Sequence, residues 1–190
     1  MLTLAIQAGG NSSRMGKDKA LILFNGIPLI QHVFNRISPI ADEIIVTTNN
    51  PDAYSFLDAR LVRDLRLGRG ALGGLYTALS SAKHNLVAVV ACDMPFASLQ
   101  IFRLARKLLL THEADAVVPK TEYGYEPLHA LYRRDACLTP IKNALDADKW
   151  KMISWFEQVE IHALKVENDG IFQNLNTPQD FAKAEALLPS

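Results

Sequence analysis

Apolar positions along the chain follow two rhythms. Short unbroken runs mark strands buried on both faces: Leu2–Gln7, Glu43–Thr48 with Ile44-Ile45-Val46 at its centre, and the almost purely apolar Leu86–Cys92. Between them the spacing is helical. Pro28–Ile37 sets Leu29, Ile30, Val33, Phe34 and Ile37 on one stripe with Pro in the first turn, and Ser98–Thr111 does the same with Leu99, Phe102, Leu104 and Leu108. Shorter segments continue the alternation. They read as a short helix over 51–57, a brief strand over 60–63, a glycine-rich loop over 67–74, a helix over 75–82 and a strand over 116–119. Beyond these, 127–132 reads as a strand, 134–147 as a helix and 159–166 as extended, while 152–157 fits neither rhythm. Thr177-Pro178-Gln179-Asp180 places a capping residue and a first-turn acid before a last helix over 181–188.

Continuous apolar strands alternating with amphipathic helices predict a three-layer α/β/α architecture, with a mostly parallel sheet covered on both faces. The 190 residues suffice for one substantial core and show no linker, repeat or low-complexity tract, so a single domain over 1–190 is expected. In such sheets ligands bind beyond the carboxyl ends of the strands. The residues that follow Gln7 and Cys92 should therefore face one crevice.

Composition narrows the classes of function. With 49% apolar and 21% charged residues the chain reads as a globular protein, and its formal net charge of zero argues against a general binder of nucleic acid or membrane surface. No apolar run approaches the roughly 18–20 residues of a transmembrane helix, and no basic segment precedes the first apolar run as in a secretion signal. Cys92 and Cys137 have no metal-ligand spacing and read as free thiols, which suits a cytoplasmic location.

The chemistry begins where the first strand ends. Gln7-Ala8-Gly9-Gly10-Asn11-Ser12-Ser13-Arg14-Met15-Gly16-Lys17-Asp18-Lys19-Ala20 joins a glycine pair to hydroxyls and three cations, a composition that holds polyphosphate. Gly10 and Gly16 have five residues between them and Gly16-Lys17 is followed by Asp18, which is not the P-loop pattern. The spacing of the dinucleotide fingerprint is absent too. Asp93, at the mouth of the apolar Leu86–Cys92 run, offers a hard oxygen ligand where magnesium would use a carboxylate together with phosphate oxygens. Asp64 can accept the adjacent ring N–H and amino hydrogens of guanine. The glycines at 68, 70, 73 and 74 permit close backbone approach to a base or ribose. Asn174 and Asn176 could line the crevice from the other end of the chain. His129, a lone histidine among apolar neighbours, reads as a packed residue.

These residues carry a resemblance. The chain resembles the molybdenum cofactor guanylyltransferases, within the nucleotidyltransferases of Rossmann-like α/β fold. The shared motifs are Ala8-Gly9-Gly10, Ser13-Arg14-Met15-Gly16, Asp18-Lys19-Ala20-Leu21, Gly26 to Ile30, Gly70 to Leu75, Cys92-Asp93-Met94-Pro95-Phe96, Glu126-Pro127-Leu128 with Ala130-Leu131, and Asn174-Leu175-Asn176-Thr177-Pro178. The resemblance implies transfer of GMP from GTP to molybdopterin with release of pyrophosphate. It implies GTP held by Ala8, Gly9, Gly10, Lys19, Asn49, Asp64 and Asp93, with magnesium on Asp93. Arg14, Lys19 and Asp93 would be the catalytic set. The small-molecule partners would be GTP and molybdopterin, and protein contact would be transient, with molybdenum-cofactor enzymes or chaperones.

For the acceptor, Tyr125, Lys149, Asn174 and Asn176 are the candidate molybdopterin contacts, with Tyr123, His129, Lys151 and Trp155 as further aromatic or basic linings. Gln7 stands where the family usually has Leu, and Ala71 where Pro is common. Asp146–Trp155 departs from the family pattern and is expected at the molybdopterin half. Two other readings stay open: a cytidylyltransferase or sugar-phosphate nucleotidyltransferase of the same fold, or a module that binds nucleotide or cofactor without turnover.

Overall fold

A computed structural model of the chain describes residues 1–9 and 18–186. Its centre is an eight-stranded sheet. The strands are β1 (Leu2–Gln7), β4 (Glu43–Thr47), β5 (Arg60–Val62), β6 (Leu86–Ala91), β7 (Ala116–Thr121), β8 (Gly124–Tyr125), β9 (His129–Arg133) and β10 (Ile161–Lys165), in the order β10-β7-β9-β6-β1-β4-β5, with β8 paired to β7. A separate two-stranded hairpin comprises β2 (Leu23–Phe24) and β3 (Ile27–Pro28). β1 lies parallel between β4 and β6, with Gln7 opposite Thr47 on one side and Ala91 on the other. β9 runs antiparallel between β6 and β7, so the sheet is mixed but mostly parallel.

Side chains along β1 alternate between two packed faces. On one face Leu4 and Ile6 meet α1 (Leu29–Ile37) and α3 (Leu99–Thr111) through Ile30, Val33, Phe102 and Leu109. On the other, Ala5 meets α2 (Gly70–Ser81) and α4 (Arg134–Asp146) through Leu72, Leu75, Cys137 and Ile141. Helices thus cover both faces, in the three layers that the alternation predicts. His129 and Trp155 are wholly buried within these layers and do not line a surface site.

A third, smaller apolar cluster positions the site. Phe24 and Leu29 pack with Leu175 and with Phe181 of α5 (Pro178–Glu185), and Phe96 and Ile22 close the cluster. It welds together three stretches far apart in sequence, those that follow Asp18, Asp93 and Phe172.

The helical spacing and the structure part at three places: 51–57 holds only a 3-10 segment, Pro51–Tyr54, the last helix starts at Pro178 and not at 181, and the start of α2 differs most. α2 begins at Gly70, so Gly73 and Gly74 lie inside a helix and not in a base-binding loop. Both face packed neighbours. A Cβ on Gly73 would stand 2.8 Å from Arg69 Cβ and 2.9 Å from the Arg66 carbonyl, and one on Gly74 would stand 2.7 Å from Gln7 Oε1.

Candidate active site

The ends of β1 and β6 are tied together by backbone bonds that continue past the strands. The Cys92 N–H donates to the Gln7 carbonyl and the Ala8 N–H to the Thr47 carbonyl, while the Leu175 N–H donates to the carbonyl of Asp93. Asp93 is therefore fixed from both the sheet and the C-terminal segment. Lys19 rises toward it from a one-turn 3-10 segment, Lys19–Leu21, whose cap is Asp18. One Asp18 oxygen accepts the Ala20 N–H, and the other accepts the hydroxyl of the buried Tyr54.

The Lys19 Nζ donates to Asp93 Oδ2 at 2.6 Å and also to Asn176 Oδ1. Asn176 in turn belongs to the start of α5. Its backbone N–H and that of Thr177 both donate to Asp180, within a capping box that Thr177 completes. Holding an ammonium between a carboxylate and an amide restricts it to one position, and the largely shielded setting strengthens its field. These groups line a cleft of about 250 Å³ together with Ala8, Gly9, Ala71 and Leu128.

A second cleft, of about 320 Å³, adjoins it through Gly9 and is lined by Asn49, Asp64, Arg66, Gly68, Arg69, Gly70 and Trp150. Asn49 Nδ2 donates to Asp64 Oδ2 at 3.1 Å, and Asp64 Oδ1 is buried without a partner among the described residues. Burial pushes the Asp64 carboxyl above its usual range and the Asn49 bond pulls it partly back. Asp64 sits so close that a Cβ on Gly9 would be 3.1 Å from Oδ2. A buried carboxylate oxygen without a donor is costly, and a ligand that brings an N–H to it recovers that cost.

The structure thus brings Ala8, Gly9, Lys19, Asp93 and Asn176 into one cleft and Gly9, Asn49 and Asp64 into its neighbour. Gly10 and Arg14, with Ser12, Ser13 and Lys17, lie outside the described residues. Tyr125, Lys149 and Asn174 stand apart from both clefts: Tyr125 packs edge-on against Phe156, and Lys149 and Asn174 are exposed. Part of the Asp146–Trp155 stretch, expected at the molybdopterin half, lies against the Asp64 cleft through Trp150. Sequence reasoning missed Trp150, Arg66 and Arg69 as lining residues. It also missed the β2–β3 hairpin, although Asn25-Gly26 between apolar residues is a hairpin-turn signal and both residues take positive φ, 45° and 83°.

Magnesium bound by one protein carboxylate and phosphate oxygens fits the donor set here. Asp93 Oδ1 accepts no bond from the described residues and Asp93 lines the cleft. No cluster of three or more His, Cys, Asp or Glu is found among the described residues, so a site built from protein ligands alone is not formed there. No described helix is long and apolar enough to cross a membrane.

Known proteins resemble the chain over nearly its whole length. The family model for the MobA-like NTP transferase domain matches residues 4–161. A protein of Carboxydothermus hydrogenoformans named probable molybdenum cofactor guanylyltransferase is 34% identical over 96% of this chain and 94% of its own length. One of the same name from Flavobacterium johnsoniae is 34% identical over 94% of each. Among solved structures, molybdopterin-guanine dinucleotide biosynthesis protein A from Archaeoglobus fulgidus superposes with a TM-score of 0.84 at 26% identity, over 97% of both chains. The 4-diphosphocytidyl-2C-methyl-D-erythritol synthase of Anaerococcus prevotii matches at a TM-score of 0.75 and 17% identity, a likeness of fold alone.

Proposed function

Because the chain belongs to the MobA-like NTP transferase family, we propose that its two adjoining clefts bind GTP and that it transfers GMP to the terminal phosphate of molybdopterin. The observation that carries this reading is Lys19, held between Asp93 and Asn176 one cleft away from the buried, donor-seeking Asp64. Asp64 reads the N1–H and 2-amino hydrogens of guanine, a pair of adjacent donors that a cytosine edge does not offer. Asn49 orients the carboxylate by its bond to Oδ2, which has a second lone pair for the base.

In the transfer, an oxygen of the acceptor phosphate forms a bond to the α-phosphorus of GTP as the bond to the β-phosphate oxygen breaks and pyrophosphate leaves. Positioning and charge neutralisation supply the catalysis, and no covalent enzyme intermediate is needed. Lys19 faces the triphosphate and offsets the charge that builds on the leaving pyrophosphate. Asp93 is the residue that would hold magnesium, which when bound neutralises phosphate charge. Asn176 keeps the Lys19 ammonium in place and borders the acceptor side. Arg14 completes the proposed catalytic set. Cytoplasmic location fits an enzyme that draws on GTP.

The test is pyrophosphate release from GTP and purified molybdopterin, with and without magnesium, across a panel of nucleotides. Lys19→Ala and Asp93→Ala are each expected to lower kcat by about 10²–10³. Full activity in either folded variant overturns the catalytic assignment, and dependence on CTP in place of GTP overturns the guanine assignment.

A further inference from the structure

Asp64 can fix the edge of a base in its own plane, but an edge contact leaves both flat faces of the ring to be covered. The structure puts one planar wall beside it. α4 ends at Asp146, and the chain then turns through Asp148, whose φ is 54°, with the Asp148 and Lys149 N–H groups bonded back to the Leu145 and Ala144 carbonyls. This turn lays residues 146–150 along the segment between Asp64 and Gly70. Two ion pairs join the segments, Arg66 to Asp146 at 3.0 Å and Arg69 to Asp148. The Arg69 guanidinium lies over the Trp150 ring, 4.8 Å from its centroid.

Trp150 remains 50% exposed, although it lines the Asp64 cleft. The other tryptophan, Trp155, is fully buried. A large aromatic surface left open inside a cleft, with a guanidinium held over its ring, is what a planar ligand needs.

We propose that Trp150 and Arg69 form the stacking wall for the nucleotide base, so that affinity comes from this wall while base identity is read at Asp64. This rests on the reading of the Asp64 cleft as the guanine site. Stacking on an aromatic face is tolerant of base type, because every base has a π-face. The two residues therefore carry separable properties. Removing the indole weakens all nucleotides by a similar factor, whereas Asp64→Asn changes their rank order.

The experiment is equilibrium nucleotide binding read by intrinsic fluorescence and by calorimetry, on wild type, Trp150→Ala, Trp150→Phe and Asp64→Asn. GTP is expected to quench the wild-type tryptophan signal, and the quench disappears in Trp150→Phe while calorimetry still detects GTP binding. Trp150→Ala is expected to raise the Kd for GTP roughly five- to twentyfold, the lower part of what base stacking contributes, with the GTP-to-ATP ratio preserved. An unchanged Kd in Trp150→Ala, or a quench that persists in Trp150→Phe, overturns the stacking wall and leaves the guanine site standing. A wild-type protein that binds no nucleotide by either readout overturns both.

Discussion

At the scale of single residues, contacts at Gly9, Gly73 and Gly74 leave little or no room for a methyl group. Gly73 shows the consequence. Its missing Cβ would stand inside contact distance of the Arg66 carbonyl and Arg69 Cβ. Arg66 is backbone there and cannot turn aside, so Gly73→Ala must shift the segment that carries both arginines. Overpacking of this kind costs about 1–3 kcal/mol. That exceeds the roughly 1 kcal/mol that replacing glycine by alanine inside a helix returns. Gly73→Ala is therefore expected to lower stability by about 1 kcal/mol in urea denaturation and to raise the KM for GTP. A variant as stable as wild type, with unchanged KM, would show that the segment is looser than its contacts imply.

The residues whose role depends on local sequence were legible before the structure: Gly9 after its strand, Lys19 behind Asp18, Asp93 at a strand end, Asn176 beside a capping box. Trp150 and Arg69 were not. Their place becomes visible only when the turn after α4 returns to the Asp64 cleft, and a single aromatic residue 86 positions after Asp64 carries no periodic signal.

At the scale of elements, the strands and amphipathic helices were readable because each buries a continuous face whose period the sequence records. α2 was read four to five residues too short because glycine weakens a helix on its own. Here the glycines are needed for packing against Gln7 and Arg69, and tertiary contact overrides propensity. β9 shows another long-range effect. Its His129 accepts the Ser98 N–H at 2.9 Å through Nε2, and so ties the strand to the start of α3 while stacking on Phe102 at 4.2 Å. Burial lowers the His129 pKa to about 4, below the ordinary histidine value near 6.5.

The sign of the linkage follows from these two values. Above about pH 6.5 the imidazole is neutral in both states, and its full contribution to stability is present. As pH falls from 6.5 toward 4 the unfolded chain takes up the proton first, and stability drops by about 3 kcal/mol in all. His129→Gln is expected to be less stable at pH 7 but to show a flatter decline over that interval, as followed by urea denaturation at each pH. Equal slopes for the two proteins would place the titration elsewhere.

At the scale of the molecule, the site draws on residues 9, 19, 49, 64, 93 and 176, so it exists only when both ends of the chain are in place. The Phe24–Leu175–Phe181 cluster enforces this by joining the segment after Asp18 to the last helix. A ligand bound across such a site stabilises the native state as a whole, because no partial opening that breaks the cluster retains it. With GTP at about 100 times its Kd, the gain is about 2.7 kcal/mol. For a chain of this size that corresponds to a rise of roughly 5–10 °C in Tm. We expect one cooperative transition that moves as a unit with GTP and magnesium, and a much smaller shift in Lys19→Ala, measured by scanning calorimetry. Two transitions, with only one moved by GTP, would divide the chain into independent units and refute the expectation of a single domain over 1–190. A full shift in Lys19→Ala would instead assign the binding energy to the Asp64 and Trp150 cleft alone, leaving Lys19 to act on the transition state.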